Sequence, residues 1–371
     1  MPEPILDIRD LCVDYVTDEG PVRAIDHLDL TVERGEVLGV AGESGSGKTT
    51  LAKAIMRILP PPAVITGGEI LFKGRDILGM DEEDLRKIRW REISMVFQSA
   101  MDALNPVISV GEQIMDTLLA HGAGPAESHV RPGEEQIAGT LLTHGAGPVE
   151  SPTLPVGEQI VDTLLAHDAG TAEWARDRAG RLMDLVGIPR DRLDSYAHQL
   201  SGGMRQRVGI ALALAMRPSI VILDEPTTAL DVIVEREILE RIRELEHELK
   251  FAVIFITHDL ARMLEVSDRV AIFYAARLAE VGPAAEIRTS PRHPYTRALL
   301  RAFPSLKPGG PEPVSIAGQP ASLRRPPSGC RFHPRCPLAI DVCPKKQPGP
   351  TEVGPGHVAF CYRANETPPS R

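Results

Sequence analysis

Apolar residues in this chain fall into two rhythms, and the points where one replaces the other mark its elements. Short apolar runs at Glu36 to Val40, Ile93 to Phe97, Ser219 to Leu223, Ala252 to Ile256 and Arg269 to Phe273 join Ile5 to Arg9 and Glu69 to Lys73 as predicted strands. Several are unbroken, as expected of strands covered on both faces. Between them the pattern predicts helices at Thr50 to Leu59, Ala175 to Val186, Gly203 to Met216 and Val232 to Leu249. Such alternation predicts an α/β layered fold with a largely parallel sheet.

From about Gly282 the rhythm stops. Eighteen of the 33 prolines fall in the last ninety residues, so a loop-rich region is expected there, apart from a short helix at Tyr295 to Ala302. A segment of this kind buries little apolar surface and would gain much from a bound metal. Four of the five cysteines, Cys330, Cys336, Cys343 and Cys361, stand in it, separated by five, six and seventeen residues, while Cys12 is alone. In a reducing compartment such a cluster points to a metal site rather than to disulfides, with zinc, an iron–sulfur cluster and unligated thiols all open.

Composition narrows the class. A length of 371 residues predicts about two domains, and 43% hydrophobic with 25% charged residues describes an ordinary soluble globular chain. The formal charge of −10 argues against a broad nucleic-acid-binding face, so no nucleic-acid partner is expected. With no apolar stretch long enough to span a bilayer and no signal-like N-terminus, the chain is expected in the cytosol, meeting a membrane only through partners.

The chemistry is concentrated in a few motifs. Gly42-Glu43-Ser44-Gly45-Ser46-Gly47-Lys48-Thr49 fits the G-x-x-x-x-G-K-[ST] pattern and stands between a predicted strand and a predicted helix. Glycines let the backbone curl so that its amides face an anion, and the helix N-terminus adds partial positive charge. Lys48 is expected to reach the β- and γ-phosphates of a nucleotide, and the Thr49 hydroxyl to coordinate Mg²⁺. After the apolar run ending at Leu223, Asp224 is expected on the metal side of the site. Glu225 follows, placed to orient or deprotonate water, and His258 after the next strand is a candidate γ-phosphate sensor. Each has a plainer reading, such as an Asp-Glu pair capping a helix or a structural histidine. Their occurrence together and in order is what carries weight.

One internal repeat stands out. Gly-Glu-Gln-Ile-Met-Asp-Thr-Leu-Leu-Ala-His from Gly111 recurs from Glu134 and again from Gly157, a period of 23 residues each time. Three short copies with Gly/Pro-rich linkers read as a tandem duplication within one helical region, of a size that surface insertions tolerate. His121, His144 and His167 recur in register because of that duplication.

These motifs together resemble the ATP-binding cassette (ABC) ATPase family. Leu200-Ser201-Gly202-Gly203-Met204-Arg205-Gln206 resembles its signature motif, Gln98 its glutamine loop, Ala229-Leu230-Asp231 its D-loop and His258 its switch histidine, while Tyr15 falls where the family stacks an aromatic ring on adenine. The resemblance implies the P-loop nucleotide-binding fold with a helical subdomain at about 99–205, and ATP and Mg²⁺ as ligands. Nucleotide contacts then fall on Tyr15, Gly42, Ser44, Gly45, Gly47, Lys48, Thr49, Thr50 and Asp224. Catalysis falls on Glu225, His258 and Gln98, and Mg²⁺ on Thr49 and Gln98. It further implies a head-to-tail dimer in which Ser201 and Gly203 of one subunit meet the γ-phosphate held by the other.

The nearest subgroup is that of oligopeptide and dipeptide importers. The similarity lies at Leu104-Asn105-Pro106, Gly203-Met204-Arg205-Gln206-Arg207, His293-Pro294-Tyr295-Thr296 and the tail from Gly329-Cys330-Arg331-Phe332. It implies an ABC domain over 1–281, with repeats at 111–173, and a loop-rich C-terminal extension over 282–371 whose four cysteines hold a [4Fe–4S] cluster in preference to zinc. It implies as partners a second ATPase, with Met204 in place of the usual glutamine pointing to a heterodimer, two transmembrane permeases and an external peptide-binding protein. Its place is then the cytoplasmic face of the membrane, as a peripheral subunit driving peptide import. A nickel or other small-solute importer is the alternative, and a soluble, non-transport ABC ATPase a more distant one.

Overall fold

The computed structural model describes residues 3–97, 172–226, 232–302 and 314–366; the three repeats, Gln98 and Ala229-Leu230-Asp231 lie outside the described residues. The chain forms two compact units, Met1–Gln98 with Met216–Arg371, and Ser99–Ala215.

In the first unit the chain runs through β1 (Leu6–Thr17), β2 (Gly20–Val32), β3 (Val37–Gly42), α1 (Lys48–Ile55), β4 (Ala63–Phe72), β5 (Arg75–Asp76), α2 (Glu82–Ile88) and β6 (Ile93–Val96). The second unit contributes α3 (Ala172–Leu185) and α4 (Gly202–Ala213). The chain then returns to the first unit with β7 (Ile220–Asp224), α5 (Val232–Leu249), β8 (Ala252–Ile256), α6 (Leu260–Val266), β9 (Arg269–Tyr274) and β10 (Arg277–Pro283). Helices α7 (Ala284–Thr289) and α8 (Pro294–Ala302) and a closing hairpin, β11 (Thr351–Gly354) and β12 (His357–Ala359), complete it.

The larger sheet has the order β11-β12-β10-β9-β3-β8-β7-β6. Its central pairs, β3 with β8 and β9, β8 with β7, and β7 with β6, are all parallel. Every residue of β7 and of β8 is buried, which is why they read as unbroken apolar runs. This order matters for chemistry. β3, β8 and β7 are neighbours, so the segments leaving their C-terminal ends emerge side by side, where open α/β sheets bind ligands.

The parallel sheet expected from the sequence is one part of a mixed fold. A separate four-stranded antiparallel sheet, β2-β1-β4-β5, accompanies it. β2 has no unbroken apolar run: Leu28, Leu30 and Val32 are buried while His27 and Asp29 are exposed, the alternation of a strand with one wet face. β10 and the hairpin add antiparallel strands to the edge of the large sheet. Helix α1 ends at Ile55, ahead of the predicted Leu59, and α4 ends at Ala213 rather than Met216.

Long-range polar groups hold the C-terminal region in place. Glu280 of β10 is fully buried and accepts from the His357 imidazole at 2.7 Å and from the Arg292 and His293 amides at 2.7 and 2.9 Å. Burial alone would raise its pKa; the donors outweigh that and hold the carboxyl below its ordinary value. Gly282 makes this approach possible, since a Cβ there would stand 2.6 Å from the His357 ring.

Candidate functional site

The loop from Gly42 to Thr49 is shaped by close backbone approaches. Gly42 has φ 151°, and a Cβ there would lie 2.2 Å from the Phe273 carbonyl oxygen; Gly47 has φ 105°, and its Cβ would lie 2.3 Å from that of Ala24. At both positions only glycine fits. Gly47 is also the N-cap of α1, where no side chain caps the first turn, so the turn's amides suit an anion.

Lys48 is buried and donates from Nζ to the carbonyls of Gly42 and Glu43 at 2.9 and 3.0 Å. Burial pulls its pKa down, against the charges of Glu225, Asp224 and Glu43. Thr49 Oγ1, in the first turn of α1, donates to Asp224 Oδ1 at the end of β7 at 3.2 Å. Asp224 is 1% exposed, and burial, reinforced by Glu225, pushes its carboxyl above the ordinary value despite the Thr49 hydrogen bond. A divalent cation beside this pair would reverse that preference and favour the carboxylate.

Glu225 leaves β7 with φ 49°, a conformation uncommon outside glycine, and its amide donates to the Ile256 carbonyl at 2.8 Å. Its carboxylate lies 3.6 Å from His258 Nδ1, so the ends of β7 and β8 bring together the two residues expected to act on the γ-phosphate. The Tyr15 hydroxyl is 3.3 Å from Thr50 Oγ1. A cavity of about 550 Å³ is lined by Tyr15, Gly42, Ser44, Gly45, Gly47, Lys48, Thr49, Thr50, Glu225 and His258, a size suited to a nucleotide. Asp224 joins the site through Thr49. Loop, metal-side pair and acid thus fit ATP with Mg²⁺.

Three further lining residues, Val22, Ala24 and Leu323, carry no sequence motif. Leu323 comes from the C-terminal region, and no local pattern signals that a residue so distant in sequence would stand beside the phosphate loop. In the second unit Ser201 is the N-cap of α4, its Oγ accepting from the Met204 amide at 3.3 Å. The signature segment is therefore a capped helix start, with Gly203 in its first turn.

The C-terminal cysteines are free, and all four line one small enclosed cavity together with His293, Phe332 and Leu338. Two of the sulfurs accept from backbone amides, Cys343 from Ile340 at 3.5 Å and Cys361 from Arg363 at 3.4 Å. Burial pushes Cys330 up to about 11 and raises Cys336 and Cys361. For these three, burial favours the thiol, and a cation nearby would favour the thiolate. Among the described residues, the one trio of potential ligand atoms within 4.8 Å of one another is Cys12, Asp26 and His27. That trio suits no cation, because Arg23, Arg277 and Arg331 already crowd Asp26 and the Arg23 guanidinium donates to Cys12 Sγ.

Comparison with known proteins agrees with this geometry. Residues 25–228 match the ABC transporter family, and residues 279–343 match the oligopeptide/dipeptide transporter C-terminal region. The chain is 38% identical to the dipeptide transport ATP-binding protein DppD of Bacillus subtilis, covering 97% of this chain and 95% of that one. It is likewise 38% identical to the oligopeptide transport ATP-binding protein OppD of Salmonella typhimurium, covering 98% and 96%. Among solved structures, cbiO1 from Clostridium perfringens, part of the ABC transporter complex cbiONQ, matches with TM-score 0.56 at 24% identity over 78% of this chain and 92% of that one, a likeness of fold. With a phosphate loop, an acidic strand end and a facing histidine assembled on a cassette fold, and near full-length likeness to such proteins, the chain belongs to the ABC transporter ATP-binding family and carries the oligopeptide/dipeptide transporter C-terminal region.

Proposed function

We propose that this chain binds and hydrolyses ATP to drive import of di- and oligopeptides through a membrane ABC transporter. The observation that carries the chemistry is the convergence of Lys48, Thr49, Asp224, Glu225 and His258 at the C-terminal ends of three adjacent parallel strands. The peptide assignment rests on relatives named for dipeptide and oligopeptide transport and on the C-terminal region.

In this reading Lys48 binds the β- and γ-phosphates, Thr49 and Asp224 hold Mg²⁺ with Gln98, and Tyr15 receives the adenine. Mg²⁺ bound there would neutralise charge on the phosphates. Glu225 takes or orients the proton of the attacking water, and His258, beside it, contacts the γ-phosphate. Ser201 and Gly203 bind the γ-phosphate of a partner ATPase. A second, different ATPase is the proposed partner because Met204 replaces the glutamine usual in the family. Two permeases and an external peptide-binding protein complete the assembly. Among the described residues no helix is long and apolar enough to cross a membrane. The permeases therefore supply the membrane path, with this chain as a peripheral subunit on the cytoplasmic face.

The four cysteines are proposed to hold a [4Fe–4S] cluster. The gathering of all four around one small cavity supports a shared site. Backbone amides donating to the sulfurs are a further feature of such sites. Extraction from native membranes in mild detergent, purification through this chain and mass spectrometry of what accompanies it tests the assignment. Permeases, a second ATPase and a peptide-binding protein support it; a nickel-binding protein in place of the last would redirect the substrate. Recovery with soluble partners alone would overturn it.

A further inference from the structure

The segment between the first two tail cysteines presents its side chains to the cassette. Arg331 reaches Asp26 and the Ala275 carbonyl, and Phe332 packs against Tyr274 and Tyr295 at centroid distances of 5.2 and 5.4 Å. Arg335 goes further. Its Nη1 lies 3.0 Å from both carboxylate oxygens of Glu43, the second residue of the phosphate loop. The guanidinium is itself fixed, donating to the Ala317 carbonyl at 2.9 Å and lying 3.3 Å from the Tyr274 hydroxyl. Its side chain is 6% exposed.

The same loop residue is held a second time. The Glu43 amide donates to the Tyr295 hydroxyl at 3.0 Å, and Tyr295 is fully buried. The Glu43 carbonyl accepts from Lys48 Nζ at 3.0 Å. Glu43 thus has its amide and carboxylate engaged by residues beyond 282 and its carbonyl by the lysine assigned to the phosphates. A phosphate loop with Gly42, Gly45 and Gly47 all at positive φ has much backbone freedom of its own. Anchoring one of its residues at three points restricts that freedom before nucleotide arrives, which lowers the ordering cost of binding.

We infer that Arg335 and Tyr295 are positioning residues for ATP: by holding Glu43 they set the phosphate loop and Lys48 in the geometry that receives the nucleotide. The C-terminal region is then part of the ATP site, acting through Glu43 rather than touching the phosphates. The inference rests on the ATP-binding reading of this site, and on no assumption about what the cysteines hold.

The test is MgATP binding to the full chain, with Arg335→Gln, Tyr295→Phe and, as the control, Arg331→Gln. Arg331 anchors the same segment but does not touch Glu43. Expected is a Kd for MgATP raised about tenfold by Arg335→Gln, within the usual range of coupling between sites, and several-fold by Tyr295→Phe. Arg331→Gln should lower the melting temperature yet leave that Kd within about twofold. In a Glu43→Gln background, Arg335→Gln should add little, because the partner it acts through is gone. Turnover at saturating ATP in the assembled transporter should change little, placing the effect in binding. Equal effects of Arg331→Gln and Arg335→Gln on Kd would reduce the segment to a general brace and overturn the inference. So would an unchanged Kd in Arg335→Gln or, should that variant not fold, in Tyr295→Phe. Failure of the unmutated chain to bind MgATP would instead overturn the reading of the site itself.

Discussion

The phosphate loop and the four-cysteine region face each other within one compact unit, yet they are built on opposite principles. The loop hangs from β3, flanked by β8 and β9, and all three strands are buried along nearly their whole length, so its position is set by continuous apolar packing and main-chain hydrogen bonds. The cysteine region has little core of its own. Phe332 is its one large side chain fully buried, and besides the short pairing of β12 with β10 its anchorage comes from Arg331, Arg335 and the buried His357–Glu280 pair. Apolar packing tolerates many small changes; a handful of buried polar anchors does not, because each group left without its partner costs its full desolvation. The cassette should therefore respond sharply only at its chemical groups, and the tail at its anchors.

Four variants test that contrast, beginning with the largest effect. Glu225→Gln should lower ATP turnover by about 10²- to 10⁴-fold while ATP binding and folding persist, measured by phosphate release and equilibrium binding. Undiminished turnover would remove Glu225 from the reaction. Next is Asp26→Asn, which leaves Arg277 and Arg331 without their carboxylate and should cost about 3 kcal/mol in urea unfolding. Burial would raise the Asp26 pKa, but the Arg277 hydrogen bond and the Arg331 charge together hold it below 3.8. Its stabilisation is thus present above that pH and lost as pH falls through the folded-state value, so the variant's acid unfolding curve should be flatter there.

On the proposal that the four cysteines hold a cluster, Cys343→Ser should remove it together with the stabilisation it confers, about 2.7 kcal/mol for a ligand present at a hundredfold over its Kd. Iron and sulfide analysis with limited proteolysis of the C-terminal region reads both losses. Unaltered protease resistance would mean that the polar anchors hold the tail without metal. Smallest is Ser201→Ala, which removes the cap of α4 and should cost about 1 kcal/mol of stability in the unit that holds it. A much larger loss of transport than of stability would assign Ser201 to the partner's nucleotide as well as to its own helix.

The same contrast explains what the sequence disclosed. Glycines at 42, 45 and 47, the lysine that follows, and an Asp-Glu pair after a buried strand are local patterns, because a backbone that wraps an anion must spell its turns in adjacent residues. The parallel strands were legible for a related reason, since burial on both faces leaves no polar position to interrupt them. β2 was not, because its alternation of Leu28, Leu30 and Val32 with polar neighbours, and its pairing to β1 through irregular registers, lack that simple mark. Least legible were the contacts of Arg335 and Tyr295 with Glu43, which join positions about 250 to 290 residues apart and depend on the fold being complete. The four cysteines were conspicuous as a group, but nothing in their spacing told that the residues between the first two would reach the phosphate loop.

The most direct test of the function is peptide uptake into vesicles reconstituted with this chain, its co-purified permeases and second ATPase, and the external binding protein. Labelled di- and oligopeptides should accumulate only with MgATP inside the partner-loaded system, with ATP turnover rising on peptide addition and both lost in Glu225→Gln. ATP turnover that ignores peptide, with uptake of nickel or another small solute instead, would contradict the account.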